Sequence, residues 1–213
     1  MNRFPTYNSF QASPAGRRAA RRFQNIFAKA SPFDAPVVRI GPVAFFDESI
    51  PDSGIFQTIE SINENAPLPS LGDACSTGTV FIAALNENVF HALSPLVKES
   101  ARVLKPAGRL ILIVKNAPSL CPAVGGIPSP RPFAVRRELA RNGLRLTGRQ
   151  DVLHIPFYGK AGDIADKILY TLNVWGGGFT VFTARKAPFV PQRDENYSSA
   201  RMTSASVFTS PRT

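Results

Sequence analysis

Two apolar runs, joined by one amphipathic segment and a tight turn, restrict the folds open to this chain more than any other feature. They are "TVFIAAL" (79–85) and "RLILIVKN" (109–116). Apolar runs of this length without polar alternation are expected of strands buried on both faces of a sheet. Between them, "NENVFHALSPLVKESARVL" (86–104) spaces Leu93, Leu96, Val97, Ala101 and Leu104 as one helical stripe, with Pro95 marking a division into two parts. The four residues "KPAG" then turn the chain. Strand, helix and strand in this order form a βαβ unit, which requires a parallel sheet and a right-handed crossover. The chain is therefore expected to be α/β.

The flanking sequence extends that pattern. Val37–Ile40 and Val43–Phe46 are two short β-rich pieces broken by Gly41-Pro42. In "SGIFQTIESINEN" (53–65), Ile55, Ile59 and Ile62 recur at helical spacing and predict a short helix. Residues 66–78 and 117–132 are rich in Pro and Gly and read as loops. A helix is expected over 133–146, stopping at Asn142-Gly143. A strand follows in "RLTGRQDVLHI", a helix over 163–175 and a closing strand over 178–186.

The net charge of +10 is unevenly placed. Residues 1–33 hold Arg3, Arg17, Arg18, Arg21, Arg22 and Lys29 and no acid. Residues 34–99 are predominantly acidic, whereas 100–150 set a single acid, Glu138, against many Lys and Arg. Such a division points to a polyanionic or acidic partner. Within 15–30, Ala19, Phe23, Ile26, Phe27 and Ala30 form an apolar helical stripe with the arginines largely off it. Three readings of this arm stay open: a mitochondrial or plastid targeting peptide, an RNA-binding arm, or a solvated tail. Mitochondrial and cytoplasmic locations accordingly both remain. The Ser/Thr/Pro-rich stretch 188–213 reads as a second tail, leaving 34–187 as the folded domain. Cys75 and Cys121 form no metal-ligand pattern. No run is apolar for the ~18 residues that a transmembrane helix needs.

One stretch resembles a known family. "ESARVLKPAGRLILIV" is similar to the helix–turn–strand unit of class I S-adenosylmethionine (SAM)-dependent methyltransferases of the type 11 kind. Glu99, Arg102, Val103, Leu104, Lys105, Pro106, Gly108 and Arg109 fit, and Ala107 replaces the first glycine of the turn. The flanks "ENAPLPSLGDACSTGTVFIAALNENVFHAL", "ELARNGLRLTGRQDV" and "GGGFTVFTARK" resemble the same family, so the likeness spans about residues 60–187. It implies a Rossmann-like fold with a mostly parallel sheet, and SAM as cofactor.

The chain departs from that pattern on its N-terminal side. SAM binding in the family uses a glycine-rich loop after the first strand, usually preceded by an acid. Before Gly72 there are only Gly16, Gly41 and Gly54, and no two are spaced as GxG. The domain is thus expected to be shortened and degenerate there. The resemblance leaves Asp47 and Glu48 as candidates for the acid that grips the ribose at the end of the second strand. Glu64 is the candidate near the adenine amine, and Asn86, after the fourth strand, lies at the expected cofactor edge. His91 falls near a histidine common in the family. No general base is indicated. A basic helix face, Arg136, Arg137 and Arg141, joins Arg17, Arg18, Arg21 and Arg22 as candidate phosphate contacts. Two functions follow: a SAM-dependent methyltransferase-like protein, or a non-catalytic subunit of a larger assembly, such as a mitochondrial ribonucleoprotein, that keeps the scaffold.

Overall fold

A computed structural model describes residues 10, 12–30, 36–41, 56–59, 71–85, 87–116, 129–154, 160–174 and 176–187. The strands are β1 (Val37–Ile40), β2 (Phe56–Ile59), β3 (Thr77–Ala84), β4 (Leu104–Lys115), β5 (Leu144–Val152) and β6 (Phe179–Lys186). The helices are α1 (Pro14–Ala30), α2 (Glu87–His91), α3 (Leu93–Val103), α4 (Pro132–Arg141) and α5 (Lys160–Thr171).

The strands form one sheet in the order β2-β1-β3-β4-β6-β5. The β1–β2, β1–β3 and β3–β4 pairs are parallel, and β6 runs antiparallel between β4 and β5. The apolar runs fill the centre, and every residue of β3 is buried. Their period of two sends alternate side chains to opposite faces. Phe81, Ala83, Ile111, Ile113, Phe179 and Val181 build one core. Val80, Ile82, Leu110, Leu112, Val114 and Phe182 build the other, under Val89 of α2, Leu96 and Val97 of α3 and Val135 and Leu139 of α4.

The first core is covered by α1. Ser13 caps this helix: its hydroxyl oxygen accepts the Gly16 N–H at 3.0 Å, and Pro14 occupies the first helical position, where no N–H is needed. Phe23 and Phe27 are each 1% exposed. Phe27 stacks on Phe81, and Phe23 meets the edge of Phe179 at 5.8 Å between centroids. Burial of each ring is worth about 1.5–3 kcal/mol. α1 therefore shares one core with the sheet, whereas the sequence pattern set 1–33 apart as an arm. An amphipathic stripe states that a helix has an apolar face; it does not name what that face meets.

Three other expectations change. Residues 56–59 are a strand in register with β1 (Val37↔Phe56 to Ile40↔Ile59), not part of a helix. "FQTI" is aromatic and β-branched, and over so short a tract the helical and strand periods are not separable, so pairing with β1 decides. The helix break falls at Ala92, and Pro95 sits in the first turn of α3, where proline is tolerated. The "KPAG" residues bulge out of the β3–β4 ladder, between the pairs Thr77↔Leu104 and Thr79↔Arg109. The pieces expected at 43–46, in most of the 117–132 loop and in the 188–213 tail lie outside the described residues.

Candidate functional site

The two edges of the sheet carry different chemistry. At the amino edge lies the motif that resembles a family. The Glu99 carboxylate accepts two hydrogen bonds from Arg102, Nη2 at 2.5 Å and Nε at 2.7 Å. It also accepts the Leu71 N–H at 3.4 Å. Arg102 Nη2 donates to the Gly72 carbonyl at 2.6 Å, and the Arg102 carbonyl accepts from Cys75 N–H at 3.1 Å. The pair thus fastens the loop that feeds β3 to the end of α3. The Arg102 hydrogen bond, the largest cause, holds the Glu99 carboxyl below its ordinary value. Gly108 is required by space: a Cβ would stand 2.8 Å from the Lys105 carbonyl oxygen and 3.1 Å from that of Gly78. Ala107, in the place of the family's glycine, has φ +63°. Glu99, Arg102 and Gly108 thus hold or clear backbone, and Val103 and Leu104 of the same motif enter the core.

At the carboxyl edge, β1 and β3 diverge: the chain passes from β1 outward to β2, and from β3 the other way to β4. In open α/β sheets, ligands bind at such a switch point. β1 ends in Gly41 at φ +115°, a conformation that side chains disfavour. A Cβ there would lie 2.4 Å from the Ala83 carbonyl oxygen of β3. Two residues earlier Arg39 places its guanidinium 5.8 Å from the Phe27 ring centroid, so a cation stands where the family usually has an acid. β2 ends at Ile59, and the next residue in sequence is Glu60. An acid about 20 residues after a glycine at the first strand end is the spacing that nucleotide-binding sheets use; a helix over 53–65 offers no strand end before Glu60.

Further along the same edge a buried polar knot ties β4, β5 and β6. Asp151, 1% exposed, accepts from Thr180 Oγ1 at 2.8 Å, the Gly176 N–H at 3.0 Å and Asn116 Nδ2 at 3.3 Å. Asn116 also donates to the Gly177 carbonyl at 3.0 Å. Beside it the His154 N–H donates to Asp166 Oδ1 at 2.7 Å, and His154 Nε2 lies 2.6 Å from the Val174 carbonyl oxygen, which it serves as donor. Lys115, the last residue of β4, has its ammonium pulled below the ordinary lysine value by burial.

Of the residues singled out in the sequence, Asp47, Glu48, Glu64 and Asn86 lie outside the described residues. Asn86 falls between the end of β3 and the start of α2. His91 is exposed on α2, 3.6 Å from Glu87 one turn before it. The two arginine groups are not brought together. Arg17, Arg18, Arg21 and Arg22 line a cleft with α5, on the face that α1 covers. Arg136, Arg137 and Arg141 are exposed on α4, which packs on the opposite face.

No protein-family model and no curated protein sequence matches the chain. Solved structures match its fold. A SAM-dependent methyltransferase from Archaeoglobus fulgidus is similar over 84% of this chain and 99% of its own, with a TM-score of 0.57 at 14% identity. A SAM-dependent methyltransferase from Thermotoga maritima, described as a possible histamine N-methyltransferase, covers 84% of this chain and 94% of its own, with a TM-score of 0.53 at 14% identity. The cyclase SpnF covers 87% of each chain, with a TM-score of 0.51 at 15% identity. The chain has the class I SAM-dependent methyltransferase fold, a mixed α/β Rossmann-like architecture. The presence of a cyclase among its neighbours shows how little a shared fold fixes the reaction.

Proposed function

We propose that this chain is a SAM-dependent methyltransferase-like protein whose cofactor lies across the carboxyl ends of β1, β2 and β3. The observation that carries this reading is the switch point itself, with Gly41 turning the backbone at the end of β1 and Glu60 following β2. In this reading Glu60 takes the ribose hydroxyls, in place of Asp47 and Glu48, Glu64 serves the adenine amine, and Asn86 lies at the cofactor edge after β3. When bound, the cofactor supplies an activated methyl group. The work left to the protein is to hold acceptor and methyl in line and to exclude water.

A second reading, a non-catalytic subunit that keeps the scaffold, is favoured by one specific observation. The space that Gly41 leaves open is filled by Ala83 of β3, so the sheet alone already demands this glycine. Together with Arg39 and the missing GxG spacing, this describes an edge in which packing has taken the place of a cofactor loop. Such a subunit would dock through its basic surfaces into a larger assembly.

Calorimetric titration of the full chain with SAM and S-adenosylhomocysteine separates the two. Micromolar binding that Glu60→Gln weakens about tenfold, with no change in melting temperature, is expected if a charged hydrogen bond to the ribose is lost. A folded chain that binds neither ligand overturns the first reading in favour of the second.

A further inference from the structure

The cleft between α1 and α5 has no part in the fold-level reading, yet five cations meet in it. It encloses about 480 Å³ and is lined by Arg17, Arg18, Arg21, Arg22 and Lys167, with Asp163 as its acid. We propose that this cleft holds the phosphodiester backbone of a single-stranded nucleic acid.

Three features distinguish the cleft from an ordinary solvated basic face. First, its guanidinium groups are set in place. Arg18 pairs with Asp163, Arg17 Nη1 donates to the Ala12 carbonyl at 2.7 Å, and Arg22 lies 4.3 Å above the Tyr170 ring. Forks ordered in advance lose less entropy when they bind phosphate, and Arg matches phosphate oxygens in pairs. Second, the cations repeat. Arg17 and Arg18 recur as Arg21 and Arg22 one turn later, ~6 Å along the helix axis. A repeating anion suits that ladder better than a single carboxylate. Third, the surface is concave. A chain of linked phosphates enters a groove of this size, whereas a flat anionic bilayer meets little of its wall.

The segment that leads into α1 is anchored on β6. Phe10, just before α1, packs on Phe179 at 5.4 Å between centroids, and Phe179 opens β6 at the carboxyl edge of the sheet. The inference does not depend on whether SAM binds.

The experiment is fluorescence anisotropy of the full chain with a labelled oligouridylate, across a salt series and without SAM. The test protein is the double variant Arg21→Glu/Lys167→Glu, chosen because both side chains are exposed and neither belongs to the apolar stripe of α1. The control is Lys98→Glu/Lys105→Glu, two exposed cations outside the cleft. The wild type and the control are expected to bind alike. The cleft variant should bind at least about tenfold more weakly, with a salt dependence flattened by roughly 0.7 per lost phosphate contact. If charge reversal lowers the melting temperature, Arg21→Gln/Lys167→Gln is read by the same salt slope. Unchanged binding by the cleft variants overturns the proposal, as does an equal loss in the control. Displacement of the RNA by micromolar pyrophosphate would assign the cleft to a small phosphate ligand instead. A loss confined to anionic vesicles, with RNA binding intact, would assign it to a membrane. Both outcomes overturn the proposal.

Discussion

The amino and carboxyl edges of this sheet differ in how their residues are spent. At the amino edge, the Glu99–Arg102 pair and the clearance of Gly108 from the Lys105 carbonyl are requirements three residues long, and on that local base Glu99 and Arg102 hold the loop at 71–72. At the carboxyl edge, Gly41 clears space for β3, a strand some forty residues on in the chain, and Asp151 joins three strands. A local requirement leaves a contiguous motif in the sequence. A requirement set between strands leaves isolated residues. The letters most easily recognised in this chain therefore belong to the edge opposite the candidate cofactor site.

The comparison can be broken by variants that move stability and ligand binding together or apart. The largest effect is expected from Gly41→Ala. Strain at positive φ and the clash with the Ala83 carbonyl should together cost about 2–5 kcal/mol, read by urea denaturation. Any SAM affinity should fall with it, since the same residue turns the chain at the switch point. Asp151→Ala comes next. It leaves the Thr180 hydroxyl and the Asn116 amide without their buried acceptor and should cost about 2–3 kcal/mol. Both groups belong to the carboxyl edge, so ligand-induced stabilisation measured beside the melt should shrink too. Gly108→Ala, at the amino edge, should cost about 1–3 kcal/mol because the Lys105 and Gly78 carbonyls stand in the way of the new Cβ. Affinity in the folded protein should be untouched. If Gly108→Ala alters SAM affinity while Gly41→Ala does not, the division of labour between the edges is wrong.

Two smaller effects sharpen the same contrast within the motif. Ala107→Gly should stabilise the protein by about 1 kcal/mol, because φ +63° suits glycine and strains alanine. Glu99→Gln should give the smallest change, since Arg102 is exposed and Gln keeps an acceptor for it, and salt screens what charge attraction is lost. Its pH dependence is the informative part. The folded carboxyl titrates below its ordinary value of 4.5, so its contribution is present above that pH and is lost as pH falls through the folded value. Wild type and Glu99→Gln should therefore converge in acid and separate towards neutrality.

Legibility followed the length of the signal. The runs at 79–85 and 109–116 are long and apolar throughout, and both are central strands. Val37–Ile40 was legible because Gly41-Pro42 ends it abruptly. Phe56–Ile59 was not, because four residues fit either period and three isoleucines at helical spacing favoured the wrong one. A helix there leaves no strand end before Glu60. The cleft was half legible. Arg17, Arg18, Arg21 and Arg22 stand out in any reading, but Lys167 and Asp163 join them only through the packing of α5.

By itself the sequence determined the βαβ unit, the α/β class and the amphipathic nature of 15–30. Each is encoded by neighbours in the chain through hydrophobic period or turn chemistry. The tertiary structure alone decided that α1 is a layer of the core, that 56–59 is a strand beside β1, and that the two arginine groups face opposite sides of the sheet. Those outcomes depend on which apolar face finds which partner across long stretches of chain. That choice is made by burial and backbone pairing between distant segments, and local sequence carries no record of it.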